Sequence, residues 1–152
     1  ADRLTIIIKD DGCGMTQEQL RQVEDPFFTT RTTRKVGLGV PFFKMAALSA
    51  DGDFCIDSKV GEGTRVQAEF RLNHIDRMPL GDISGTIYTL IHFHPEVDFC
   101  YTYRYDDRGF VLDTRQMKDI LGGIPLDTPE VAGYIREYLT ENKMDVDGGA
   151  II

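Results

Sequence analysis

Apolar positions along the chain come in several distinct rhythms, each predicting an element. Residues 3–9 hold Leu4, Ile6, Ile7 and Ile8 in a short isoleucine-rich run closed by Asp-Gly, which predicts a buried strand. Thr16 to Val23 predicts a short helix, with Thr16 as N-cap and Gln19 three residues on as a capping box. From Val40 to Ala50 apolar residues nearly surround a predicted helix, with Pro41 tolerated in its first turn, so burial is expected. Asp51-Gly52 ends it. "DFCIDS" and "TRVQAEFRL" predict two antiparallel strands around Lys59-Val60-Gly61-Glu62-Gly63. In the second, Val66, Ala68, Phe70 and Leu72 alternate with Arg65, Gln67, Glu69 and Arg71, so one of its faces should be wet. "DPFFTTRTTRKVGLG", Asp25 to Gly39, has neither period. It is long for a connector and is expected to be a functional loop.

Residues 73–83 read as a linker, after which the pattern changes. "GTIYTLIHFH" and "DFCYTYRYD" are β-branched and aromatic runs joined by Pro95-Glu96-Val97, which predicts a hairpin. Asp107-Arg108-Gly109 makes a further turn into "FVLD". "TRQMKDIL" and "TPEVAGYIREYLTEN" predict helices, the second with Thr128 as cap, Pro129 in first position and a Val131-Ile135-Leu139 stripe. That stripe is expected to be core rather than a partner groove. The tail "MDVDGGAII" is expected to fray. The fold class is α+β: one unit over residues 1–72, then a small α+β unit over 84–152 with a β-hairpin and helices, whose role no motif reveals.

Composition narrows the function classes. The 152 residues suffice for one domain or two small ones. A net charge of −8 argues against a nucleic-acid binder. No apolar run approaches membrane-spanning length. The start, Ala1-Asp2-Arg3-Leu4, lacks an initiator Met and signal-peptide architecture, and a strand begins at once, as expected of a piece of something longer. Cys13, Cys55 and Cys100 are far apart and form no CxxC pair, which suits structural thiols in a reducing, cytoplasmic compartment.

The candidate chemistry lies in three glycine turns: Asp10-x-Gly12-x-Gly14, Gly37-x-Gly39 and Gly61-x-Gly63-Thr64. Glycine lets backbone approach a ligand closely and adopt positive φ. Gly37-Leu38-Gly39 directly precedes a predicted helix, where backbone N–H groups meet phosphate. Arg31, Arg34 and Lys35 stand just before it and could add charge to a polyphosphate site. Asp10, at the end of a strand, can accept a hydrogen bond from an exocyclic amine such as adenine's. A separate pair, His92 and His94, would share one face of a strand, with Cys100 facing them as a candidate metal partner; packed or exposed strand histidines are the commoner outcome, and no metal site is expected. His74, in the linker, carries no expectation.

The ordered set of boxes closely resembles the ATP-binding domain shared by histidine kinases, gyrase, the heat-shock chaperone ATPases and the mismatch-repair ATPases. "DDGCGM", "DPFFTTR", "GLGVPF" and "GEGT" look like its first glycine, phenylalanine, second glycine and third glycine boxes, and "PFFTTR" is closest to the histidine-kinase branch. The resemblance covers residues 4–72. It implies a two-layer α/β sandwich of the histidine-kinase-like ATPase type, incomplete at its N-terminus, that binds ATP with Mg²⁺. By the family pattern Asp10 meets the adenine amine, and Gly12, Gly14 and Met15 belong to the adenine box. Phe27 and Phe28 anchor a lid from Thr29 to Lys35, with Arg31 and Lys35 beside the phosphates. Gly37, Leu38 and Gly39 hold phosphates, and Thr64 supports the hydrogen bonds near Asp10. The family's helix before the first glycine box, with its Mg²⁺-ligating Asn and its phosphoryl-transfer residue, has no counterpart in this sequence. No catalytic residue and no metal ligand is therefore assigned. Val40-Pro41 stands where many kinases have leucine and serine. The expected parent is an ATPase or protein kinase in signalling, with a protein partner or homodimer. The alternative is a non-catalytic, nucleotide-responsive interaction protein with residues 84–152 as effector.

Overall fold

The computed structural model describes residues 2–25 and 38–152, and the chain divides into two units, 1–78 and 79–152. In the first, β1 (Arg3–Asp10), β2 (Phe54–Lys59) and β3 (Gly63–Arg71) form an antiparallel sheet in the order β1-β3-β2. Pairing runs from Arg3 opposite Arg71 to Asp10 opposite Thr64, and from Phe54 opposite Ala68 to Lys59 opposite Gly63. Strand alternation then sorts the side chains. Leu4, Ile6, Phe54, Ala68 and Phe70 lie on the face that carries α2 (Gly39–Ser49), packing with Phe43, Ala46, Ala47 and Ala50. Arg65, Gln67, Glu69 and Arg71 share the opposite face, the wet one the sequence predicts, where Arg65 bonds Gln67 and Gln67 bonds Glu69.

Two burial expectations are corrected. β1 is an edge strand of the described sheet and is not buried: Ile7 falls on the polar face, and Ile8, on the same face as Leu4 and Ile6, is exposed. Helix α2 is apolar on nearly every side yet half-covered, with Phe42, Met45 and Leu48 exposed among the described residues. α1 (Gln17–Val23) has the predicted capping box: Thr16 Oγ1 accepts from Gln19 N, and Gln19 Oε1 accepts from Thr16 N. Asp51 ends α2 at φ 54°, and Gly52 follows because a Cβ there would lie 1.7 Å from the Glu69 carbonyl oxygen.

In the second unit the order is α3 (Ile83–Phe93), β4 (Cys100–Tyr105), β5 (Arg108–Asp113), α4 (Thr114–Leu121) and α5 (Pro129–Asp147). The expected strand "GTIYTLIHFH" is a helix. Asp82 caps it, accepting from Gly85 N at 2.9 Å, and Ile87, Tyr88 and Ile91 fall on one helical face against the core. Packing of that stripe overrides the strand propensity of its β-branched and aromatic residues. The hairpin comes one element later than predicted: β4 pairs with β5 across Asp106 and Asp107, with Asp106 at φ 53°. The core gathers Ile91, Leu112, Leu126, Val131, Ile135 and Leu139, so the Val131-Ile135-Leu139 stripe is core, as expected. Thr128 occupies the N-cap of α5 but does not cap it; its hydroxyl donates to the Pro125 carbonyl instead. The tail is more ordered than expected: α5 runs through Asp147, and Leu80 N donates to Ile152 O at 2.8 Å. No helix among the described residues is long and apolar enough to cross a membrane.

Candidate functional site

The first and third glycine turns form one structure. Asp10 ends β1 directly opposite Thr64, the second residue of β3. Asp10 Oδ1 accepts from Gly12 N at 2.9 Å and from Thr64 N at 3.3 Å, while among the described residues Oδ2 accepts nothing. Gly61 N donates to Cys13 O at 2.8 Å, and Met15 N donates to Ser58 Oγ at 2.8 Å. These bonds bring the backbones too close for side chains. A Cβ on Gly14 (φ 70°) would stand 2.0 Å from the Lys59 carbonyl oxygen, and one on Gly63 (φ 123°) 2.0 Å from that of Asp10. Glycine is thus required at both positions by conformation and by contact.

The second glycine turn opens α2. Among the described residues, Leu38 stands at its N-cap without a side-chain hydrogen bond, and Gly39 has no neighbour within 4 Å of a Cβ position. The first-turn N–H groups therefore have no side-chain cap among the described residues, the condition under which a helix N-terminus takes an anion. At the other end Ala50 O accepts from Arg71 N, which fixes the C-terminus of α2 at the end of the sheet opposite Asp10 and Thr64. Lys44 in α2 pairs with Glu24 after α1 at 3.0 Å. Phe27, Phe28, Arg31, Arg34, Lys35, Gly37 and the expected lid from Thr29 to Lys35 lie outside the described residues.

A family model for histidine kinase-, DNA gyrase B-, and HSP90-like ATPases matches residues 1–74. Those residues belong to that family. Its α/β sandwich is the architecture of β1–β3 with α2. The relatives of this ATPase domain include Sporulation kinase C of Bacillus subtilis, 37% identical over 44% of this chain and 15% of that protein. A putative sensor protein of Shewanella frigidimarina is 36% identical over 50% of this chain and 12% of its own length. A probable C4-dicarboxylate sensor kinase of B. subtilis is 32% identical over 45% of this chain and 13% of its length. The chain thus spans well under a fifth of each of these relatives.

One residue of the ATPase domain's glycine cluster escapes a sequence reading. Ser58 closes β2 and touches Met15 N, Gly63 O at 3.0 Å and Thr64 Oγ1 at 2.8 Å. The signal was available: Phe54, Ile56 and Ser58 share a strand face, and a serine continues that apolar series just before the third box. The cysteines do not join it into a cluster. Cys13 is exposed with Sγ 3.6 Å from Gly14 O, and burial, then the Asp57 carboxylate, push the Cys55 thiol's pKa up.

The histidine pair is also corrected. His92 is in α3, stacked on Tyr88 at 5.6 Å, and His94 is the helix C-cap, paired with Glu96, so the two do not share a strand face with Cys100 opposite. Among the described residues no three His, Cys, Asp or Glu side chains gather for a metal.

Proposed function

We propose that the glycine cluster of residues 10–15 and 58–64 is the adenine end of an ATP site, with the N-terminus of α2 at its phosphate end. The carrying observation is the Asp10 carboxylate. Two backbone N–H groups fix Oδ1, and Oδ2 is left as an acceptor beside the Thr64 hydroxyl on the same sheet face. An exocyclic amine supplies the donor that such a pair lacks. Leu38 and Gly39 give the helix start for phosphate oxygens; Phe27, Phe28, Arg31, Lys35 and Gly37, which the family pattern adds to the site, lie outside the described residues. Mg²⁺ would accompany the nucleotide, and none of the residues named here is assigned to it. The names of the relatives, two kinases and a sensor protein, support a parent that transfers or hydrolyses the ATP γ-phosphate in signalling.

The test is nucleotide selection in the full-length protein. Guanine presents a carbonyl where adenine presents an amine, so Asp10 gains no bond there and meets like partial charge. An acceptor that the bound base covers without supplying a donor costs about 1–3 kcal/mol. Asp10→Ala should weaken ATP binding by about tenfold or more and erase the preference for ATP over GTP. Asp11→Ala should change both far less. Titration with labelled ATP and GTP analogues reads the outcome. An Asp10→Ala protein that is folded by circular dichroism and still selects ATP would sink the assignment.

A further inference from the structure

Ser58 carries one hydroxyl proton and makes three contacts. Met15 N–H donates to it. Gly63 O, a carbonyl, can only accept, so that contact uses the Ser58 proton. The remaining contact, 2.8 Å to Thr64 Oγ1, is then made only if Thr64 donates. All three bonds exist together in this one arrangement. It consumes the only Thr64 proton and leaves Thr64 Oγ1 with lone pairs alone to offer. Asp10, directly opposite, likewise offers only acceptor capacity through Oδ2.

We infer that Ser58 is a positioning residue for nucleotide selection: it locks the Thr64 hydroxyl as an acceptor, so that the adenine end of the pocket accepts from an amine and offers nothing to a carbonyl. The inference rests on the reading of Asp10 and Thr64 as the adenine end. Without Ser58 the Thr64 hydroxyl is free to turn and donate its proton to the guanine carbonyl, and GTP becomes a better ligand.

The experiment is a set of ATP and GTP affinities in the full-length protein for wild type, Ser58→Ala, Ser58→Thr, Thr64→Val and the Ser58→Ala/Thr64→Val double variant. Ser58→Ala should lower the ATP-to-GTP affinity ratio by about tenfold, mainly through tighter GTP binding. Ser58→Thr keeps the hydroxyl on a strand position and should restore the ratio. In the Thr64→Val background Ser58→Ala should change the ratio no further, because the group it acts through is gone. A merely structural Ser58 would weaken both nucleotides alike and would do so in either background; either result overturns the inference. If Ser58→Ala fails to fold, Ser58→Cys takes its place, since a thiol keeps the volume and is a poor hydrogen-bond partner. A wild type that binds ATP and GTP equally, with Asp10→Ala unchanged, refutes the adenine assignment itself. Wild-type selection with Asp10 needed and Ser58 dispensable refutes only the role of Ser58.

Discussion

Each unit holds a hydrogen-bonded carboxylate, and the two are treated in opposite ways. Asp147 in α5 has a side chain with no exposure. Its Oδ2 accepts from Tyr103 at 2.8 Å and Lys143 at 2.6 Å, and its Oδ1 from Gly149 N at 2.9 Å. Asp10 is exposed, with one oxygen pinned and the other on offer. The apolar packing differs in the same sense. Among the described residues, the second unit encloses Ile91, Leu112, Ile135 and Leu139, whereas the first buries mainly Ala47, Ala50, Ala68 and Phe70. A polar cluster whose every donor and acceptor is matched fastens structure, and one that keeps an acceptor free at a surface can bind. Among the described residues, the second unit has the core of larger side chains, and the first holds its candidate site on a thin core.

Leucine truncation separates the units most strongly. Leu139 is fully buried, so Leu139→Ala should cost about 2–5 kcal/mol. Leu48→Ala, on the outer face of α2, where the side chain is 51% exposed, should stay within about 0.5 kcal/mol. The chain has no Trp, and all six Tyr lie beyond residue 79, so tyrosine fluorescence in urea reads the second unit alone and circular dichroism reads both. Equal losses for the two variants would show that the α2 face is covered, and the contrast in packing would not hold.

The same contrast decides what the sequence reveals. The glycine patterns are local, being short motifs with positive φ at Gly14 and Gly63, but the carbonyls 2.0 Å away belong to Lys59 and Asp10, distant in sequence and outside each glycine's own box. The capping box at Thr16 is local too, and it reads true. α3 is not local. Its sequence suits a strand, and only the core formed with residues 40–50 positions further along makes Ile87, Tyr88 and Ile91 a helical stripe. The expected burial of β1 and α2 failed for a related reason, since an apolar run shows how much surface can be buried and not whether a partner element lies against it. Ser58 went unread because its role depends on strand register, which sets it against Thr64.

Glycine substitution gives the next effect in size and tests whether the thin unit spends its rigidity on the site. Gly63→Ala places a Cβ against the Asp10 backbone at φ 123° and should cost about 3 kcal/mol while loosening the Asp10–Thr64 contact. Gly122→Ala in the second unit also meets a left-handed φ, 61°, but has open space around it and should cost about 1 kcal/mol. Chemical denaturation followed by circular dichroism and by tyrosine fluorescence assigns each loss to its unit. A Gly63→Ala protein as stable as wild type would mean that the two glycine turns are not held together as described.

The smallest effect concerns the closed carboxylate. Burial by itself would raise the Asp147 pKa, but the bonds from Lys143, Tyr103 and Gly149 outweigh it and hold it below its ordinary value of 3.8. A lowered folded-state pKa means that the contribution of Asp147 is fully present above the unfolded value and is lost as pH falls through the folded one. Tyr103→Phe removes one donor and leaves the Lys143 pair in place. It should cost about 1 kcal/mol at neutral pH. It should also move the onset of acid unfolding of the second unit to higher pH, because the folded pKa is then less depressed. At alkaline pH the sign reverses. Burial, then Asp147, raise the Tyr103 pKa, so its contribution is present below the ordinary 10.0 and lost as pH rises through the higher folded value. Tyr103→Phe removes that loss, while Tyr101, pushed up to about 12 by burial and then by Asp147, keeps its own. Urea midpoints by tyrosine fluorescence across the pH range should therefore show the variant below wild type at neutral pH and in the acid limb, with the gap narrowing in the alkaline limb. A constant offset at every pH would mean that Tyr103 contributes by packing alone and that Asp147 is not fastened through it.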